Sequence, residues 1–299
     1  MSTDPAGSSA GDSGTSAGVV ELPPAVAARS PRGRLVLVPN ALDHGAEPQD
    51  LREVLPRSAL QWAARLQHWI VEDAKSARAF LKRVHEVAPL QSPLHALSMV
   101  ELPPPPKGRT GRTGRNDGPS ATRSGEAATP FAQWLAPALG GADIGLLSEA
   151  GLPAVADPGA AVVAAAHALG VPVLPLPGPS SLMLALAASG LHGQSFAFVG
   201  YLPQEAQARR ERIRELESVS KRLGQTQVFI ETPYRNPTLM NALIETAAPT
   251  TRLSVSVALT LPSGWSRTLT VAEWRRESRP GQGGPALPDR LPAVFLLQA

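Results

Sequence analysis

The chain has 299 residues, of which 43% are hydrophobic and 18% are charged, and its formal net charge is +3. This length and composition favour two globular domains with separate cores, and they exclude a chain that is disordered throughout. The sequence contains no cysteine, and its six histidines show no paired metal-ligand spacing, which argues against disulfides, thiolate chemistry and a metal site.

Residues 1–32 consist mainly of Ala, Gly, Ser, Thr and Pro, so we expect a disordered tail. No apolar run is long enough to cross a bilayer and no secretory signal pattern is visible, which predicts a soluble, cytoplasmic protein without a membrane partner. The first strand is predicted over residues 34–38, where a β-branched run ends at Pro39 and Asn40.

Residues 60–84 have helical apolar spacing that a short strand at 69–71 interrupts. Lys75, Arg78 and Lys82 share one face of the second helix. This face is either an ordinary solvated surface or a stripe that contacts RNA. Residues 101–130 are rich in Pro, Gly and Arg and are interpreted as a flexible insertion.

Residues 144–189 form a repeated pattern of strand, loop and helix. Strands are predicted at 144–147 and 171–176, and helices at 160–169, ended by Gly170, and at 182–189. A Gly/Pro loop follows each strand. Because the carboxyl ends of parallel strands lie at one edge of a sheet, these two loops predict a ligand site.

The remaining sequence alternates strands and helices with a more mixed pattern. Strands are expected at 196–200, 227–231, 253–259 and 293–297, and helices at 205–221 and 237–246. We therefore predict an α/β fold with a parallel-sheet N-terminal domain over residues 33–190 and a mixed-sheet C-terminal domain over residues 191–299.

Neither loop has the pattern of a dinucleotide or nucleoside triphosphate site, and neither contains lysine. Loops of Pro, Gly, Ala and Ser allow close backbone approach and suit a zwitterionic or cationic ligand without phosphate. S-adenosylmethionine fits that description. Tight turns also require Pro and Gly, so a purely structural role for both loops stays open.

Four motifs in order resemble the tetrapyrrole methylase superfamily, in the branch that methylates ribose in small-subunit ribosomal RNA. S-E-A-G-L-P-A-V-A-D-P-G at 148–159 is similar to S-D-A-G-x-P-x-x-x-D-P-G, and P-G-P-S-S at 177–181 is similar to P-G-P-x-[SA]. G-Y-L-P at 200–203 and F-I-E-T-P-Y-R at 229–235 resemble G-F-L-P and F-Y-E-S-P-H-R.

The resemblance implies a two-domain α/β fold, S-adenosylmethionine in the interdomain cleft, an RNA or ribosomal-subunit substrate and a homodimer. It carries the cofactor contacts to Ser148, Glu149, Ala150, Gly151, Pro153, Pro177, Gly178, Pro179, Ser180 and Ser181. Glu231 is the candidate catalytic residue, and Asp157 is interpreted as a cap of the following helix.

Two motifs depart from the family pattern. The first loop reads V-P-N-A-L at 38–42 instead of T-P-I-G-N-L, and V-A-L-T-L-P at 257–262 lacks the charges of A-R-E-L-T-K. The methyl acceptor therefore stays open between RNA and a tetrapyrrole or other small molecule. A third possibility is a non-catalytic RNA-binding or regulatory protein with a relict pocket.

Overall fold

The computed structural model describes residues 32–43, 48–103, 130–278, 287 and 290–299. The tail predicted for residues 1–32, apart from Arg32, and positions 104–129 of the predicted insertion lie outside these ranges. Among the described residues, no helix combines the length and apolarity that a membrane crossing requires.

The first half of the described chain alternates strands with helices. Its elements are β1 (Leu35–Leu37), α1 (Leu51–Val54), α2 (Arg57–Arg65), β2 (His68–Val71), α3 (Ala74–Val87), β3 (Ser98–Glu101), α4 (Pro130–Trp134), α5 (Ala136–Leu139), β4 (Ile144–Leu147), α6 (Ala160–Ala168), β5 (Val173–Pro175) and α7 (Ser181–Ser189).

The second half begins with an edge strand and ends with a buried one. Its elements are β6 (Phe196–Tyr201), α8 (Ala206–Leu223), β7 (Thr226–Glu231), α9 (Asn236–Thr246), β8 (Arg252–Val257), β9 (Trp265–Thr270), α10 (Val271–Glu277) and β10 (Ala293–Gln298).

The strands of the first half form a parallel sheet in the order β3-β2-β4-β1-β5. The central strand β4 is buried along its whole length, as expected for a parallel sheet covered on both faces. A Cβ atom on Gly145 of β4 would lie 2.5 Å from the Trp69 ring, so the absence of a side chain lets the indole pack directly on the strand. The predicted parallel sheet is confirmed.

The second sheet is mixed, as predicted, with the order β6-β7-β10-β8-β9. β6 and β7 are parallel, whereas β7, β10, β8 and β9 pair antiparallel. Phe229 and Phe295 stack on one face with ring centroids 6.0 Å apart, in the core shared with α8, α9 and α10. The opposite face packs on α7 through Leu182 and Leu186.

Helix α7 joins the two sheets. It begins directly after the loop of β5, at the edge of the parallel sheet, and then packs against the mixed sheet. Arg32–Ala299 is one compact unit that contains both sheets. The division into domains at residue 190 stays a prediction.

Most predicted elements are present, but several short ones were not predicted. β3, α1 and β9 carry few apolar residues at regular spacing, and α10 has a T-x-x-E capping box in which Thr270 and Glu273 bond each other's backbone. The strand predicted over 253–259 ends at Val257, because Ala258 has a left-handed φ of 49° that breaks the extended backbone.

We expect the Gly145→Ala substitution to lower the free energy of unfolding by roughly 1–3 kcal/mol, because the added methyl group overlaps the buried Trp69 ring. Gly193→Ala is the matched control, since a Cβ at Gly193 meets nothing within 4 Å. It should change this free energy by no more than about 1 kcal/mol. Urea unfolding of both variants measures the difference, and equal stabilities would contradict the close packing.

Candidate functional site

Asn40 connects the loops that follow two neighbouring strands of the parallel sheet. Its backbone N–H donates to the Gly151 carbonyl at 2.9 Å, and the Gly151 N–H donates back to the Asn40 carbonyl at 3.2 Å. The side-chain amide donates to the carbonyls of Ser148 and Glu149 at 3.1 and 2.9 Å. Sequence reasoning did not assign Asn40 to the site; its position directly after Pro39 at a strand end was the available signal.

Glycine is required at two positions of these loops. Gly151 has a left-handed φ of +68°, and a Cβ there would lie 3.2 Å from Leu42 and 3.5 Å from the Pro179 carbonyl oxygen. A Cβ on Gly178 would overlap the Pro39 ring. The loops after β1, β4 and β5 are therefore in mutual contact, as expected at the carboxyl edge of a parallel sheet.

A cavity of about 360 Å³ lies between this edge and the mixed sheet. Six predicted site residues line it: Glu149, Ala150, Gly151, Ser180, Ser181 and Glu231. The resemblance also predicted that residues 231–235 line the cleft, and Thr232 and Pro233 do line this cavity. Sequence reasoning missed several other lining residues, among them Leu42, Glu72, Tyr201 and Ser256, because their proximity depends on how the two sheets meet. The volume is at the lower end of the range for small-molecule sites.

The other predicted site residues lie beside the cavity. Ser148 and Pro153 are buried, and the Ser148 hydroxyl has no hydrogen-bond partner among the described residues. Pro177 is exposed. Gly178 and Pro179 line a separate open hollow on the surface.

The cavity wall is acidic. Glu72, Glu149, Asp157 and Glu231 line it, and none of its described lining residues is Lys, Arg or His. Burial, together with the charges of Glu72 and Glu149, raises the pKa of Asp157 to about 7. Burial and the nearby carboxylates of Asp157 and Glu231 also raise the pKa of Tyr201. This wall favours a cation and disfavours a phosphate group.

The carboxylate of Glu231 is engaged by its neighbours. One oxygen, Oε1, accepts from the Thr232 backbone at 2.7 Å, from the Thr232 hydroxyl at 3.2 Å, and from Nε and Nη2 of Arg235 at 3.0 and 2.7 Å. The side chain is 1% exposed. These contacts fix the turn after β7, and the catalytic role of Glu231 stays a prediction.

The interpretation of Asp157 as a helix cap is wrong. The N-cap residue of α6 is Gly159, and no side chain bonds the first turn of that helix. Asp157 instead lines the cavity. The left-handed φ of 127° at Gly159 turns the chain sharply before the helix begins, so Asp157 stays too far back in the loop to cap it.

The pKa of Asp157 makes the stability of the ligand-free protein depend on pH. Its ordinary value is 3.8 and its folded value is about 7, so between these values the native state binds a proton that the unfolded state lacks, and stability falls as pH rises. The melting temperature of Asp157→Asn minus that of the wild type should therefore increase from pH 5 to pH 8.

Asp50→Asn is the control for this melting series. Hydrogen bonds from Arg52 lower the pKa of Asp50 to about 2 in the folded protein. Asp50 is therefore ionised between pH 5 and pH 8 in both the folded and the unfolded protein. Its melting difference from the wild type should be constant between pH 5 and pH 8. A constant difference for Asp157→Asn as well would contradict the raised pKa.

Curated relatives match part of this chain. The ribosomal RNA small subunit methyltransferase I of Vibrio cholerae is 43% identical over 97 residues, which are 32% of each chain. The protein of the same name from Mesorhizobium japonicum is 36% identical over 132 residues, or 44% of each chain. The matched segments thus span about one third to under one half of the length of these relatives.

A solved structure has a broader but weaker likeness. The uroporphyrin-III C-methyl transferase from Thermus thermophilus, complexed with S-adenyl homocysteine, is 20% identical with a TM-score of 0.45, and the alignment covers 89% of this chain and 97% of that chain.

The family model of the Tetrapyrrole (Corrin/Porphyrin) Methylases matches residues 74–273, from the start of α3 into α10. This span includes β4, β5, both Gly/Pro loops and most of the mixed sheet, so it contains the greater part of the cavity wall. The chain belongs to the tetrapyrrole (corrin/porphyrin) methylase family.

Proposed function

We propose that the protein is an S-adenosylmethionine-dependent methyltransferase that acts on RNA, with a ribose hydroxyl of ribosomal RNA as acceptor. The observation that carries the proposal is the acidic cavity between the two sheets of a chain that belongs to the methylase family. The glycine-containing loops form part of its wall, and none of the described lining residues is a cation. The names of the partly matched relatives support the RNA acceptor.

The residues present fit this cofactor. S-adenosylmethionine carries a positive sulfonium and an ammonium group, which the carboxylates of Glu72 and Glu149 would stabilise. Leu42 and Leu259 would provide apolar contact surface for the cofactor. The buried Ser148 hydroxyl, which has no partner among the described residues, is a further polar group available at the first loop.

The cofactor, when bound, supplies a methyl group on a positively charged sulfur. The loops at Gly151 and Ser180 hold backbone groups close to the cavity, and rigid placement of reactants can contribute about 7–11 kcal/mol to a displacement reaction. Apolar residues such as Leu182, Ile230 and Val294 form part of the remaining wall. We include the ten loop residues inferred from the family motifs in the proposed cofactor-binding set.

An exposed basic stripe supports an RNA acceptor. Lys75, Arg78 and Lys82 are all exposed on α3, which begins two residues after the cavity residue Glu72. A strand of RNA that contacts this stripe through its phosphates would pass near the acidic cavity. The stripe thus provides the phosphate contacts that the cavity wall itself disfavours.

We also propose a cytoplasmic homodimer. β6 is an edge strand of the mixed sheet, and it leaves Phe196 and Phe198 exposed. Exposed aromatic residues on an unpaired strand edge favour association with another protein surface. Sedimentation equilibrium of the full chain measures the oligomeric state.

The wild-type protein should bind S-adenosylmethionine in calorimetry and transfer a labelled methyl group to small ribosomal subunits or their RNA. Ser181→Arg should weaken this binding at least 100-fold, because it places a large cation against the cavity wall. Ser218→Arg, on the exposed face of α8, is the matched control and should bind normally.

The choice of acceptor separates the competing functions. Transfer to uroporphyrinogen but not to any RNA would assign the protein to small-molecule methylation. Cofactor binding without transfer to ribosomal subunits, total RNA or uroporphyrinogen would support a non-catalytic role. Equal binding by Ser181→Arg and the wild type would contradict the cofactor site.

Replacing Lys75, Arg78 and Lys82 together by Gln should weaken RNA binding and leave the affinity for S-adenosylmethionine unchanged. The slope of log affinity against log salt should become shallower by roughly 2, as expected for three lost phosphate contacts with single-stranded RNA.

The matched control for the basic stripe replaces Arg214, Lys221 and Arg222, which are exposed on α8, by Gln. Both triple variants remove the same charge. If they change the salt slope equally, net charge rather than the α3 stripe accounts for RNA binding.

A further inference from the structure

The loop from Gly151 to Gly159 holds Asp157 in a strained backbone setting. Ala154 and Ala156 both have left-handed φ angles, 66° and 67°, which are costly for a residue with a Cβ. Such outliers persist where the surrounding fold over-determines them, and they cluster at functional sites. The backbone immediately before Asp157 therefore adopts a conformation that residues with a Cβ rarely take, in a loop whose residues line the cavity.

The Asp157 carboxylate lacks the partners that a structural aspartate usually has. Within the described part of the chain it forms no ion pair and accepts no hydrogen bond; its interactions are the charge repulsions from Glu72 and Glu149 and the coupling to the Tyr201 phenol. The charges of Glu231 and Arg235 also act on the Tyr201 phenol. A desolvated carboxylate that lines a cavity, with no hydrogen bond or ion pair to the described residues, is available to accept a proton from a bound molecule.

We propose that Asp157 is the general base that takes the proton from the acceptor hydroxyl during methyl transfer. This inference rests on the proposed function and adds the residue that completes its chemistry. The acceptor oxygen forms the new bond to the methyl carbon as the carbon–sulfur bond breaks. The electron pair of that bond stays on sulfur, which becomes neutral, and the hydroxyl proton moves to an Asp157 oxygen.

The pKa of Asp157 suits the role of a general base. Its pKa of about 7 in the ligand-free protein lies close to the working pH, where a general base is most effective. A positively charged ligand beside it favours the ionised form, so binding prepares the base by releasing its proton.

The other carboxylates of the cavity are less suited to accept a proton. Oε1 of Glu231 already accepts four hydrogen bonds. Glu72 accepts from the Glu149 backbone N–H at 3.1 Å, and Glu149 itself is exposed to solvent. Asp157 alone combines a desolvated position with a free carboxylate among the described acids of the wall.

The test compares Asp157→Asn with the wild type in three measurements. The asparagine variant should bind S-adenosylmethionine with a Kd within about threefold of the wild type, and it should transfer methyl groups to RNA about 100- to 10,000-fold more slowly. The wild-type rate should rise with pH and level off at or below about pH 7, whereas the residual rate of the variant should be independent of pH.

The third measurement does not depend on activity. Calorimetric titration at pH 7 in buffers of different ionisation enthalpy should show proton release when S-adenosylmethionine binds to the wild type, and less release in Asp157→Asn. Asp50→Asn, outside the cavity, should match the wild type in all three measurements.

Each outcome decides between the base and the alternatives. A large loss of affinity in Asp157→Asn with an unchanged rate of transfer by the bound complex would make Asp157 a cofactor contact and overturn the proposal. Loss of transfer in Glu231→Gln with full activity in Asp157→Asn would return the role to Glu231. If the wild type methylates no acceptor at all, the proposed function fails; if it does and Asp157→Asn is equally active, the base assignment alone fails.

Discussion

The cavity depends on the hydrogen bonds that buried Asn40 forms with the loop of β4. Asn40 is 6% exposed and satisfies four backbone groups on the loop of β4 together with the Ala41 N–H on its own loop. Buried polar groups that lose such partners cost roughly 1–3 kcal/mol each. The conformation of the loop at 148–151 therefore depends on a residue more than 100 positions earlier, and this loop carries Glu149 of the acidic wall.

The cavity also has an electrostatic cost in the absence of a ligand. Several carboxylates share a partly desolvated space, and burial, followed by repulsion from Glu72 and Glu149, raises the pKa of Asp157. A cation that enters the cavity relieves the repulsion and is bound more tightly for that reason.

The repeating pattern of strand, loop and helix in the first half was predictable because its apolar periodicity is strong and its Gly and Pro residues mark the ends of elements. The loops around Gly151 and Ser180 were predictable for the same reason. Glu72 and Tyr201 were not, since they reach the cavity from other strands and only the packing of the two sheets brings them together. The role of Asp157 was misjudged because Asp before Pro-Gly resembles a helix start, whereas the left-handed backbone at Ala156 and Gly159 separates it from α6.

The position of α7 has a mechanical consequence. Its first residue, Ser181, lines the cavity, and the rest of the helix, about 13 Å long, packs on Val228, Val294 and Leu296 of the mixed sheet. Val294 itself also lines the cavity. The helix thus connects the loop of β5 to the core of the mixed sheet, so a change in the width of the cavity between Ser181 and Val294 would require the contacts of α7 on that sheet to shift.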